Sequence, residues 1–245
     1  MKMTKTRAAA IVSAVIFLSC LHARGDEIVE QHPGVENVRK HENVEWSVSY
    51  AYHLSDASKD LPRIFLVGDS ICKGYQDKVR KKLEGSAAVT YWASSYCVTS
   101  SNFLRFLEVY LDEAEYAVVH FNNGLHSLRS DIVDYTNMLS AAFSLIKNKC
   151  PRAKIVWASS TPLNTDDTTN SAKVIALNAA ADKLVSGISG VATNDLFALM
   201  NPLDRFTYWN DVCHYKDVGY ELLASQVVEK VAAEMRRDLP LGTHN

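Results

Sequence analysis

The 245-residue sequence contains no internal repeat, no glycine/serine-rich linker and no low-complexity tract, so a solenoid, a tethered multidomain array and a disordered scaffold are all excluded. It has no surplus of positive charge. Lys and Arg number 26 against 28 Asp and Glu, for a formal net charge of −2. Basic clusters are short, and the run Lys78 to Lys82 reads as a solvated helix face. Nucleic acid, which demands clustered Lys and Arg, is therefore not an expected partner. Cysteine is sparse, and Cys72, Cys97, Cys150 and Cys213 do not have the paired CxxC spacing of a structural zinc site. In an exported protein these four permit two disulfides in three pairings, among which spacing does not choose; buried thiols are the alternative. Glycine is short in one region: none occurs between Gly85 and Gly124.

The apolar run Ala8 to Cys20 (AAAIVSAVIFLSC) is too short to cross a bilayer comfortably. It follows a basic head of Lys2, Lys5 and Arg7 and precedes small residues at Ala23 to Gly25. This is the pattern of a signal peptide over residues 1–25. A retained anchor and a lipoprotein attached at Cys20 are the competing readings. Cleavage near Gly25 removes four basic residues and no acid, taking the formal charge to about −6. A secreted or periplasmic location and no stable membrane span after cleavage are expected. The remainder reads as a flexible segment at 26–45, one domain at 46–238 and a tail at 239–245. With 47% hydrophobic residues, that domain has ample material for one core.

Within it, short apolar runs alternate with helical periodicity. Strands are expected at Ile64–Val67, Val89–Trp92, Ala117–Phe121, Lys154–Ala158 and Gly190–Thr193. Helices are expected at Cys72–Leu83, Ser101–Leu111, Asp131–Lys149, Asn170–Val185 and Lys216–Met235. Continuous apolar strands separated by helices predict a parallel sheet covered on both faces, a three-layer α/β/α architecture. Ligands bind such sheets at the carboxyl ends of the strands. That rule selects Gly68-Asp69-Ser70, Asn122-Asn123-Gly124 and Ser159-Ser160-Thr161.

Near the C-terminus, Asp211 and His214 stand three apart in TYWNDVCHYKDVGY. One turn can then supply both an imidazole base and the carboxylate that orients it. Ser70 would supply the nucleophile, because a serine hydroxyl needs a base to take its proton. Read alone, the same residues are a turn cap and a surface histidine.

Gly-Asp-Ser after the first strand, an Asn-rich turn after a central strand and Asp-x-x-His near the end together resemble the SGNH/GDSL hydrolases over roughly residues 62 to 235. As in that family, Ser70 lacks a Gly-x-Ser-x-Gly elbow, having Cys72 two places on. The resemblance implies a flavodoxin-like fold and an esterase with Ser70 as nucleophile, His214 as base and Asp211 as its orienter. It implies three oxyanion donors. The first is the Ser70 amide. The asparagine donor maps to FNNGLH, residues 121 to 126, which looks like the Asn-x-Gly-x-His version in plant polysaccharide O-acetyltransferase and esterase relatives; Asn122 is favoured and Asn123 is the alternative. The remaining donor is a glycine amide in the family, but here the loop reads Ala93-Ser94-Ser95-Tyr96-Cys97, so an amide of Ser94 or Ser95 is the candidate. Asp69 reads as a loop brace.

His126, Tyr208 and Trp209 are candidate substrate contacts, with satisfaction of a backbone carbonyl the alternative for His126 and ordinary packing the alternative for Tyr208 and Trp209, while His120, Trp92 and Trp157 read as core. A metal site from His120, His126 and His214 needs unusual geometry, and neither a metal nor a cofactor is expected. The implied substrate is an ester, with an O-acetyl carbohydrate first. A lipid ester or thioester hydrolase, an acyltransferase and a catalytically silent glycan-binding relative are the alternatives.

Overall fold

The computed structural model describes residues 45–51 and 59–236. The expected leader at 1–25 with Cys20, nearly all of the segment at 26–45, and the 239–245 tail lie outside the described residues. Strand β2 (Arg63–Gly68) reads RIFLVG, with every residue from Ile64 onward buried. Such a strand is apolar on both faces because helices cover both faces of the sheet. Strands β3 (Ala88–Ser94), β4 (Val118–Phe121), β5 (Lys154–Ala158) and β6 (Val191–Asn194) run parallel to it. Strand β1 (Ser47–Tyr50) pairs antiparallel with β3, with Val48 opposite Ala93. The sheet order is β1-β3-β2-β4-β5-β6. Without the antiparallel edge strand this is the flavodoxin-like order, whose chain reverses direction across the sheet between β2 and β4.

Two layers of helices enclose the sheet. Helices α1 (Ser70–Lys82) and α7 (Asp217–Arg236) cover one face, where Ile64 and Leu66 meet Tyr75, Val79, Leu223 and Val227. Helices α2 (Ser101–Leu111), α3 (Ile132–Lys149) and α4 (Thr168–Ser186) cover the other, where Phe65 and Val67 meet Phe103, Leu107, Leu139 and Leu177. The alternation of Ile64/Leu66 and Phe65/Val67 between these layers follows from the two-residue period of a strand. Each fully buried side chain contributes about 1.5–3 kcal/mol of transfer free energy. Trp92 and Trp157 are wholly buried, as their strand positions predict.

The ten regular elements expected from periodicity are all present, with no end shifted by more than two residues. Helix α1 starts at Ser70 because the Asp69 carboxylate accepts from the Ile71 amide at 2.9 Å and caps the first turn. Helix α4 starts at Thr168 because Asp167 caps it in the same way. Strand β1, helices α5 (Leu196–Met200) and α6 (Arg205–Tyr208), and a 3-10 turn at Leu125–Ser127 are additions. The basic run on α1 does more than face solvent. Lys78 pairs with Asp217 at 2.6 Å and Lys82 with Glu221 at 2.5 Å, joining α1 to α7. Exposed pairs of this kind contribute about 0–1 kcal/mol each. No helix among the described residues is long and apolar enough to cross a membrane.

His120 is buried in β4, as its apolar setting predicts. Gln226 donates to Asn194 Oδ1 at 2.9 Å, which turns the Asn194 Nδ2 toward His120 Nε2 at 3.0 Å. Burial drives the His120 pKa from 6.5 to about 3, so the folded chain keeps this imidazole neutral. An unfolded chain binds a proton there below pH 6.5, so stability falls as pH drops from 6.5 toward 3. In urea titrations at pH 6, 5 and 4, His120→Gln is expected to flatten that loss by up to about 1.4 kcal/mol per pH unit. Parallel losses in wild type and variant would show that His120 does not set the acid slope.

Candidate active site

The turn from β2 into α1 places Ser70 at the carboxyl end of a central strand. It is tight: a Cβ on Gly68 would meet the Cys72 Cβ at 2.5 Å. As the first residue of α1, Ser70 presents an amide in the turn where helical N–H groups have no intrahelical acceptor and the helix dipole is positive. The Asp69 carboxylate is buried and caps this turn, which is the brace expected of it.

Asp211 and His214 sit on a small hairpin closed by the Trp209–Tyr215 bridge and by Lys216 N–H donating to the Tyr208 carbonyl at 2.8 Å. Asp211 organises the hairpin tip. Its Oδ1 accepts from the amides of Cys213 at 3.0 Å and His214 at 2.8 Å. The same carboxylate reaches His214 Nδ1 at 2.9 Å through Oδ2. Because an ionised carboxylate only accepts, the ring proton belongs on Nδ1, and Nε2 is left as the acceptor. Nε2 lies 2.8 Å from Ser70 Oγ. Partial burial acts to raise the Asp211 pKa, but the His214 and Cys213 amides and the imidazole outweigh it and hold the pKa at about 2. The hairpin is tied to the loop after β5, where Asn164 N–H donates to the Val212 carbonyl at 2.7 Å and the Tyr215 hydroxyl to the Pro162 carbonyl at 3.4 Å.

Cys72, Cys97, Cys150 and Cys213 all stand as thiols, so neither of the two permitted disulfides is formed. Burial pushes the Cys72 thiol up to about 12. Cys213 Sγ lies 3.6 Å from Nδ1 and 3.9 Å from Nε2 of His214. Asp211, Cys213 and His214 are the one cluster of possible metal ligands among the described residues. Both in-plane positions of the His214 ring are already occupied by Asp211 and Ser70, and a metal there would displace one of them. His120, bonded to Asn194 inside the sheet, and His126, on a loop turn, are not part of that cluster.

Asn122 follows β4 directly, its amide donating to the Val67 carbonyl at 2.9 Å. Its side chain donates one Nδ2 proton to the Ala158 carbonyl at 2.7 Å and retains a second. Asn122 and Asp69 line the same small internal cavity, which sets Asn122 beside the Ser70 turn. Asn123, the alternative donor, holds the neighbouring loops through both ends of its side chain. Its Nδ2 donates to the Tyr96 carbonyl at 2.9 Å, and its Oδ1 accepts from Val98 N–H at 2.9 Å and Ser127 Oγ at 2.8 Å. Ser95 is corrected. Its amide donates to the Trp46 carbonyl at 3.0 Å, and its hydroxyl accepts from Trp46 N–H and donates to Glu45. The continuation of β1 therefore consumes the Ser95 donors and leaves Ser94, buried at the end of β3, as the candidate in that loop.

His126 sits partly exposed on the 3-10 turn, its ring edge-to-face with Trp46 at 6.2 Å between centroids. Tyr208 is partly buried. Of the two readings of Trp209, packing is the one its surroundings match: it is buried, with the Tyr215 ring at 4.7 Å and the Arg205 guanidinium at 4.1 Å. Asn164 and Asn178 were not anticipated. Asn178 from α4 holds both the amide and the carbonyl of Ser160 at 2.8 Å. Only the three-dimensional pairing of loops reveals either role, since neither residue belongs to a local motif.

Gly124 packs so closely that a Cβ would fall 1.8 Å from Ser160 Oγ. Gly124→Ala is expected to destabilise by about 1–3 kcal/mol, and Ser160→Gly in the same chain to restore most of that loss. Additive losses in chemical denaturation would refute the close approach.

No protein-family model matches the chain, and no curated protein does. Solved structures do. A carbohydrate esterase family 3 protein from Talaromyces cellulolyticus matches with a TM-score of 0.59 at 14% identity, over 72% of this chain and 99% of that one. A GDSL-like lipase from Bacteroides thetaiotaomicron VPI-5482 matches with a TM-score of 0.60 at 15% identity, over 74% and 92%. A lipolytic G-D-S-L family protein from Veillonella parvula DSM 2008 matches with a TM-score of 0.57 at 16% identity, over 68% and 96%. At these identities the likeness is one of architecture, and the chain has the SGNH/GDSL hydrolase-like fold.

Proposed function

We propose that this chain is a serine ester hydrolase that removes O-acetyl groups from carbohydrate through an acyl-enzyme on Ser70. The observation that carries the proposal is the relay from Ser70 Oγ to His214 Nε2 at 2.8 Å and from His214 Nδ1 to Asp211 at 2.9 Å. Ser70 Oγ attacks the ester carbonyl as Nε2 takes its proton. Negative charge develops on the carbonyl oxygen, where the Ser70 amide and the second Asn122 proton stabilise it, with Ser94 in the same ring of donors. Nε2 returns the proton to the departing sugar oxygen. Water then attacks the acetyl-serine, Nε2 takes its proton, and acetate leaves as Ser70 regains a hydrogen. Asp211, held at about pKa 2, remains anionic throughout ordinary pH and stabilises the imidazolium formed in both halves.

Fold neighbours named as carbohydrate, acetyl and acetyl xylan esterases support the choice of substrate class. The sequence has no long apolar lid of the kind that would cover a fatty acyl chain. Export through the N-terminal leader belongs to the same proposal, supported by the basic head and the apolar run that follows it.

With 4-nitrophenyl acetate, Ser70→Ala and His214→Gln are expected to lower kcat by roughly 10⁴-fold or more. Asn122→Ala is expected to lower kcat by roughly 10²–10³-fold with a small change in KM. Unchanged turnover in Ser70→Ala would sink the reading. Preference for an octanoyl over an acetyl ester would redirect it toward lipid substrates.

A further inference from the structure

A 410 Å³ cavity lies beside the Asp211 hairpin, between the loop after β5 and the segment from α5 to α6. Those loops leave the carboxyl ends of β5 and β6, the same sheet edge that carries Ser70 at β2. The cavity is of the size that takes small ligands, and its lining mixes two chemistries. Asn164, Asp166, Asn201 and Arg205 supply hydrogen-bonding groups, while Phe197 and Ile175 supply apolar surface. Arg205 rests its guanidinium on Trp209 at 4.1 Å and reaches Asn201 Oδ1 at 3.4 Å. Its Nη1 is buried and has no hydrogen-bond partner in the protein.

We propose that this cavity is a subsite for a neutral sugar ring of an oligosaccharide, adjoining the ring whose acetyl group is cleaved. The proposal rests on the esterase reading and extends it from an acetyl ester to a glycan chain. A sugar fits the lining in both of its aspects. Its vicinal hydroxyls both donate and accept, matching the side-chain amides of Asn164 and Asn201, the Asp166 carboxylate and the Arg205 guanidinium. Its C–H face matches Phe197 and Ile175. Asp166 and Arg205 offset each other in charge, which favours a neutral ring over a uronate. A fatty chain is disfavoured because it would bury these polar groups without partners. The cavity is coupled to the catalytic hairpin through Asn164, whose amide holds the Val212 carbonyl at 2.7 Å and whose Nδ2 reaches the Asp211 carbonyl at 3.4 Å.

Binding tests the subsite separately from catalysis. Calorimetric titration of the full chain with unacetylated xylotetraose and cellotetraose is expected to show one site for at least one of them. Asn201→Ala and Asp166→Ala, checked for folding by circular dichroism, should each weaken that site at least fivefold. Lack of binding of either tetrasaccharide by wild type at 10 mM, or unchanged affinity in both variants, overturns the subsite. In turnover, the variants should raise KM for acetylated xylotetraose at least fivefold more than KM for 4-nitrophenyl acetate; equal effects on the two substrates also overturn it. Wild-type activity on 4-nitrophenyl acetate reports the esterase reading alone, so the two ideas fail by different observations.

Discussion

One hydrogen bond, Ser70 Oγ to His214 Nε2 at 2.8 Å, joins residues 144 apart in sequence, and the rest of the site is arranged so that it can form. Ser70 is fixed from below by a strand buried on both faces and by the Asp69 cap on the helix that follows. His214 is fixed from above by a carboxylate that spends its two oxygens on the hairpin amides and the imidazole together. The double use of Asp211 is economical in a physical sense. The contacts that fold the hairpin are the ones that hold the acid charged and the ring correctly protonated.

Position in the sheet explains why these residues meet. The parallel strands reverse their order between β2 and β4, and a crevice opens where the loops from those strands diverge. Ser70 leaves one strand and Asn122 leaves the other, so the proposed nucleophile and the proposed amide donor flank that crevice. Below it lies a rigid polar layer. Asn123 ties three backbone or side-chain partners together, Asn178 clamps Ser160, and Tyr135 from α3 donates to the Asn123 carbonyl at 2.8 Å. Buried polar groups that are satisfied in this way specify one loop arrangement, because each alternative would leave a donor or acceptor unpaired.

Much of this was readable in the chain. IFLV, AVVHF and KIVWA are continuous apolar runs because both faces of each strand are covered, and the helices carry their buried faces at three- and four-residue spacing. The triad residues were legible because Gly-Asp-Ser and Asp-x-x-His are local patterns. What escaped was set by distant partners. Strand β1 is four residues long and largely exposed, so SVSY carries little periodic signal, yet its continuation at Trp46 captures the Ser95 amide. Asn122 and Asn123 are chemically identical in sequence, and only the structure shows that Asn123 ties together Tyr96, Val98 and Ser127. Trp209 looked like a platform because it adjoins the acid; Arg205 and Tyr215 bury it instead.

The central claim is that His214 activates Ser70 in the folded protein, and covalent labelling addresses it directly. Intact-mass analysis after treatment of the native chain with a fluorophosphonate should show one adduct, mapped to Ser70 and absent in Ser70→Ala, in His214→Gln and in denatured protein. A native chain that remains unlabelled, or one that is labelled equally well without His214, would contradict the account.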